Sequence, residues 1–103
     1  MSYVAREILN QLGGRRFLLM TGAKNLMTLK NDSGLSFWLP GTPGFVKNKI
    51  NYVEIRLNDN DLYDVKYINM QGGFVKPVAK SNDIYNDMLV SDFEKNTGLA
   101  TRL

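Results

Sequence analysis

The sequence predicts an α+β fold, an antiparallel five- or six-stranded sheet with an N-terminal and a C-terminal helix packed on one face, and three observations carry that prediction. Apolar residues recur at helical spacing near both ends of the chain. Between them, short apolar and alternating stretches are separated by Gly-, Asn- and Asp-rich turn signals, the pattern of strands that pair back on one another. At 103 residues there is material for one core, because either half alone is too short to bury one. A single domain over 1–103 is expected.

Val4, Ile8 and Leu12 lie one helical turn apart with Ala5 and Leu9 beside them, and Gly13-Gly14 follows as a stop, so Ser2 to Leu12 reads as an amphipathic helix. Arg15-Arg16 then leads into Phe17-Leu18-Leu19-Met20-Thr21, a short apolar run closed by Gly22, with the length and bounding residues of a buried strand. Leu26 to Lys30 is the next strand, and Asn31-Asp32-Ser33-Gly34 supplies residues that tolerate left-handed turn geometry. Leu35 to Leu39 pairs back, with Leu35, Phe37 and Leu39 on one face and Ser36 and Trp38 on the other. Two prolines make residues 40–49 a surface loop.

Asn51 to Leu57 alternates strictly, Val53, Ile55 and Leu57 inward and Glu54 and Arg56 outward. Asn58-Asp59-Asn60-Asp61 turns the chain into Leu62 to Ile68, which carries Tyr63, Val65 and Tyr67 on one face and Asp64 and Lys66 on the other. Phe74 to Ala79 forms a short strand that Pro77 confines to an edge or a bulge. Ser81 or Asn82 offers an N-cap with Asp83 in the first turn, and Ile84, Met88 and Leu89, with Tyr85 and Phe93, trace a helical stripe. Gly98 ends that helix, and Leu99 supplies the apolar contact that often closes such an end.

Composition narrows the chemistry. There is no cysteine, which removes disulfides, thiolate zinc sites and thiol nucleophiles, and no histidine, which removes the commonest general base near neutral pH. The expectation is a protein that is not an enzyme and carries no cofactor and no metal. Asp59, Asp61 and Asp64 form the one close acidic group, but they lack the glycine and terminal glutamate of a calcium loop, and turn geometry accounts for them. Gly41-Thr42-Pro43-Gly44 with Lys47 lacks the Gly-Lys-Ser/Thr ending of a phosphate loop. Apolar runs such as Phe17 to Met20 are far shorter than the roughly 20 residues of a membrane span. Met1 to Glu7 reaches a charged pair without building the apolar core of a secretion signal, so a cytoplasmic protein is expected.

Net charge is +3 and unevenly spread: residues 1–50 hold seven Lys/Arg against two Asp/Glu, and residues 51–103 hold six against eight. Arg15, Arg16, Lys24, Lys47 and Lys49 sit at strand entries and loops of the basic half, with Asn25 beside Lys24 and Trp38 alternating away from the apolar face. An aromatic among cations stacks on a base while the cations track phosphates, which makes these seven residues the candidate nucleic-acid or partner site. The plainer reading, lysines that solvate turns and a tryptophan packed under the following loop, stands beside it.

Ile8-Leu9-Asn10-Gln11-Leu12-Gly13-Gly14, Met20-Thr21-Gly22-Ala23-Lys24-Asn25, Leu35-Ser36-Phe37, Ile50-Asn51-Tyr52-Val53, Tyr63-Asp64-Val65 and Thr97-Gly98-Leu99 are spread along most of the length. In these stretches the chain resembles a family of short uncharacterised proteins carried by bacteriophages and integrated mobile elements. The loop from Pro40 to Lys49 is longer than the family pattern. The resemblance implies a phage or mobile-element origin and expression in a bacterial cytoplasm, and it implies no activity and no catalytic residue. Two functions suit that context. One is an accessory protein that binds nucleic acid through the basic N-terminal half; the other is an inhibitor that docks on a host or anti-phage defence enzyme through a sheet face or edge strand. An exposed edge would also allow a symmetric homodimer.

Overall fold

The computed structural model describes residues 2–41 and 44–102. Five strands, β1 (Lys24–Thr28), β2 (Gly34–Trp38), β3 (Tyr52–Leu57), β4 (Tyr63–Gln71) and β5 (Phe74–Ile84), form one sheet in chain order, every neighbouring pair antiparallel. Short turns join β1 to β2, β3 to β4 and β4 to β5 and make those pairs antiparallel, while the longer loop over residues 39–51 returns the chain from β2 to β3. Helices α1 (Tyr3–Leu12), α2 (Arg15–Thr21) and α3 (Leu89–Thr97) pack their apolar residues on one face of this sheet. The side chains that alternate toward them, Leu35, Phe37, Val53, Ile55, Val65 and Tyr67, are fully buried. The α+β sandwich and its core face are as the sequence indicates.

The apolar run at Phe17 is a helix, not a strand, and the sheet therefore has five strands rather than six. Thr21 shows why. Its Oγ1 donates to the Phe17 carbonyl (2.7 Å) and accepts from the Ala23 N–H (3.2 Å), and Gly22 ends the helix in the left-handed region at φ 74°. The end of α3 repeats the device: Thr97 Oγ1 donates to the Phe93 carbonyl (2.8 Å) and accepts from the Leu99 N–H (3.2 Å), and Gly98 has φ 76°. Both helices thus close on Phe-x-x-x-Thr-Gly, and the two phenylalanines meet edge to face with ring centroids 5.1 Å apart. Phe37 from β2 completes the cluster, 5.4 Å from Phe17 and 6.1 Å from Phe93.

A second correction concerns the C-terminal helix. Ser81, Asn82, Asp83 and Ile84 continue β5 and do not cap a helix; α3 begins at Leu89, after a 3-10 turn over Asn86–Met88. Ser81 Oγ donates instead to Asp92 Oδ1 (2.8 Å), and Tyr67 Oη donates to Asp92 Oδ2 (2.7 Å), so one carboxylate of α3 ties the helix to β4 and β5. Burial above all, and then the bond to Asp92, holds the Tyr67 hydroxyl far above the usual tyrosine range, and burial raises Tyr63 as well. In the unfolded chain both ionise near the ordinary 10.0. The stability they contribute is therefore whole below about pH 10 and is lost as pH rises beyond it, by up to about 1.4 kcal/mol per pH unit for Tyr67. Chemical denaturation from pH 8 to 11 should show that decline, and Tyr67→Phe should flatten it; an equal decline in both proteins would contradict the assignment.

Both sheet edges are interrupted. In β1 an extra residue between Lys24 and Met27 forms a bulge, with Asn25 at φ 55°. In β5 the register shifts twice, once beside Pro77, which pairs with Ile68, and once beside Asp83 at φ 56°. Bulges, proline and lysine are the devices by which an edge resists a further strand. Pro77 lies on an edge at a bulge, as its missing amide proton requires.

Candidate functional site

The sheet face turned away from the helices carries three cross-strand rows. Lys24, Trp38, Tyr52, Ile68 and Pro77 follow one another across all five strands; Met27, Ser36, Glu54, Lys66 and Lys80 form the next row; Arg56 and Asp64 stand in a third. Trp38 and Tyr52 are half-buried, with ring centroids 5.0 Å apart and planes tilted by 58°. Trp38 therefore points off the core face, as its alternation indicates, and packs sideways on Tyr52. Lys24, Arg56, Lys66 and Lys80 are exposed around this pair.

The carboxylates of the face are already engaged. Glu54 lies 3.8 Å from Arg56, and Asp64 Oδ1 accepts from the Asn58 side chain (3.1 Å) and the Asp83 N–H (3.0 Å). Asn58 also donates to Asp83 (2.8 Å) and accepts from the Asn60 and Leu62 amides, so this acidic, amide-rich turn is held by its own side chains. Lys24, Lys66 and Lys80 make no salt bridge among the described residues. Lys66 and Lys80 are direct cross-strand partners, an arrangement of like charges that costs the sheet stability. Beside them a shallow groove of roughly 430 Å3 runs over Ile68, Val75, Pro77 and Val78.

The seven residues expected from the sequence fall in three places. Lys24, Asn25 and Trp38 share one corner of the open face, Asn25 exposed on the β1 bulge. Lys47 and Lys49 belong to a 3-10 turn in the loop between β2 and β3, where Lys47 packs beside Gly98 at the end of α3. Lys49 holds a left-handed backbone at φ 59° and lines a pocket of roughly 360 Å3 with Asn51, Asn69 and Gln71. The Asn51 amide there bonds both backbone groups of Met70 at 2.8 Å, standing in for a strand residue. Arg15 and Arg16 open α2 in the helical layer.

Thr21 and Gly22 of the Met-Thr-Gly-Ala-Lys-Asn stretch terminate a helix, and Lys24 and Asn25 start β1. A Cβ at Gly22 would stand 2.8 Å from Pro40 Cγ, so that junction also needs glycine for space. Of the Gly41 to Gly44 loop, Thr42 and Pro43 lie outside the described residues. Tyr52, Lys66 and Lys80 were not singled out by sequence, although strand alternation places Tyr52 and Lys66 on the outward face; Lys80 joins them only through the bulge in β5.

No helix of the described residues is long and apolar enough to cross a membrane. Comparison with protein-family models, with curated proteins and with solved structures finds no match to this chain.

Proposed function

We propose that the chain binds single-stranded nucleic acid on the open face of its sheet, bases stacking on Trp38 and Tyr52 and phosphates meeting Lys24, Lys66 and Lys80. In this reading it is a non-enzymatic accessory protein of a phage or mobile element, acting in a bacterial cytoplasm. The observation that carries it is an aromatic pair left uncovered by the helices and ringed by lysines that form no salt bridge among the described residues. Stacking is tolerant of sequence because every base offers a π-face, and unpaired cations supply the phosphate attraction. Lys66 and Lys80 face each other across β4 and β5, with Glu54 opposite Lys66 on its other side, and a polyanion laid over the two lysines relieves their mutual repulsion.

Fluorescence anisotropy with a 12-nucleotide oligothymidylate tests the reading. Affinity should fall steeply between 50 and 200 mM salt as counterion release is suppressed. Trp38→Ala should weaken binding roughly 5- to 150-fold, from about 1–3 kcal/mol per stacked base. Lys80→Glu separates function from folding: it sets opposite charges across the strand pair, so it should raise the melting temperature slightly while lowering affinity. Binding indifferent to salt, or unchanged in both variants, would refute the proposal.

The alternative, an inhibitor of a host or defence enzyme, has its own support in the β4–β5 hairpin, where Phe74 and Val75 are 79% and 59% exposed. An oligonucleotide-blind protein that pulls down one host enzyme, and loses it on Phe74→Ser, would favour that reading.

A further inference from the structure

We infer that one chain holds two nucleic-acid strands at once, the second in a groove of the helical layer lined by Arg15, Arg16 and Arg102. The groove has a volume of roughly 340 Å3 and takes in Gln11, Gly13 and Val90 as well. Its lining comes only from α1, α2, α3, the α1–α2 junction and the C-terminal segment, so it lies across the sheet from Trp38 and Tyr52. Three of the five arginines of the sequence converge there, and no Asp or Glu lines it. The nearby carboxylate of Glu94 is taken: its Oε2 accepts from the Thr101 N–H (2.9 Å) and Thr101 Oγ1 (3.0 Å). That pair of bonds folds the C-terminal segment onto α3 and brings Arg102 to the same groove as Arg15 and Arg16, although nearly ninety residues separate them in sequence.

Residue type supports a phosphate ligand. Apart from Arg56, which is paired with Glu54, the cations of the open face are lysines, point charges suited to a strand that slides, whereas the groove gathers guanidinium forks, which grip phosphate oxygens two at a time. Three guanidiniums with no carboxylate among them repel one another, and an anion placed between them relieves that repulsion.

The inference rests on the open-face reading for the first strand, and stoichiometry separates the two. Native mass spectrometry with a thymidine tetranucleotide, too short to pass round the sheet from one face to the other, should find two tetranucleotides per chain at saturation. The triple variant Arg15→Gln, Arg16→Gln, Arg102→Gln, all at exposed positions and checked for folding by circular dichroism, should keep one. The double variant Trp38→Ala, Lys80→Glu should also keep one. A wild-type chain that saturates at a single tetranucleotide overturns the inference: if that one is lost with Trp38 and Lys80 the open face stands alone, and if it is lost with the arginines the open-face reading fails instead. Two tetranucleotides retained by the arginine variant would equally overturn it, as would a groove that takes an acidic protein and no oligonucleotide.

Discussion

Phe17→Ala should cost the fold about 3–5 kcal/mol, the range for removing a fully buried aromatic ring. A domain of this size is stable by only about 5–15 kcal/mol, so the variant should sit near the edge of unfolding at room temperature. The ring has no exposure and touches both Phe37 and Phe93 edge to face, so its loss opens a cavity at the meeting point of two helices and the sheet. The helix that carries it has seven residues, too few to persist by hydrogen bonding alone. Without that anchor the Thr21-Gly22 closure loosens and Lys24 loses its place at the head of β1. Urea denaturation should show a large fall in midpoint at unchanged slope. A loss below about 1 kcal/mol would mean that α2 is held by something other than this ring.

Gly34→Ala should be nearly as damaging for a different reason. A Cβ there would run into the Ile55 carbonyl oxygen and stand 2.9 Å from both Arg56 Cα and Leu29 Cδ1. Gly34 pairs directly with Arg56, so relief would require parting β2 from β3 in the middle of the sheet. Overpacking of this kind costs about 1–3 kcal/mol and occasionally more, and contact with backbone puts Gly34 at the upper end. Gly41 provides the control, because nothing among the described residues lies within 4 Å of a Cβ built on it. Gly41→Ala should leave the melting temperature nearly unchanged, and a Gly34→Ala protein as stable as that control would remove the steric account.

The parts of this fold that could be read from sequence are those in which one physical signal dominates. Strict alternation in Tyr52 to Leu57 fixes strand and face together, because Val53 and Ile55 are wholly buried while Arg56 is exposed. Phe17 to Thr21 carries no such signal: five apolar or neutral residues in a row have no period, and a helix of two turns is as short as a strand. The available clue was recurrence. Phe-x-x-x-Thr-Gly stands at both 17–22 and 93–98, and reading the second as a helix end obliges the first to be one.

Ser81 or Asn82 reads as an N-cap only through a chance coincidence of spacing, because β5 runs to Ile84 and α3 begins at Leu89. Ile84 and Met88 fall four residues apart, yet Ile84 is the last residue of β5 and Met88 is half exposed. Ser81 had an alternative use for its hydroxyl in Asp92, eleven residues on, which local capping rules do not consider. The candidate site was legible to the same degree. Trp38 could be turned outward by counting, and Lys24 lay near it in the chain. Its neighbour Tyr52, and the facing of Lys66 and Lys80, depend on register, and the meeting of Arg102 with Arg15 and Arg16 depends on how the chain returns at its end.

The interruptions at Asn25, Pro77 and Asp83 also bear on how many copies can gather. A flat, unbroken border would let one molecule recruit the next into a ribbon, with crowding alone as the trigger. Here bulges, a proline and left-handed residues break that continuity on both borders, which works against such recruitment. If the proposed single strand is bound, spacing and length in any array would follow from that strand rather than from contacts from chain to chain.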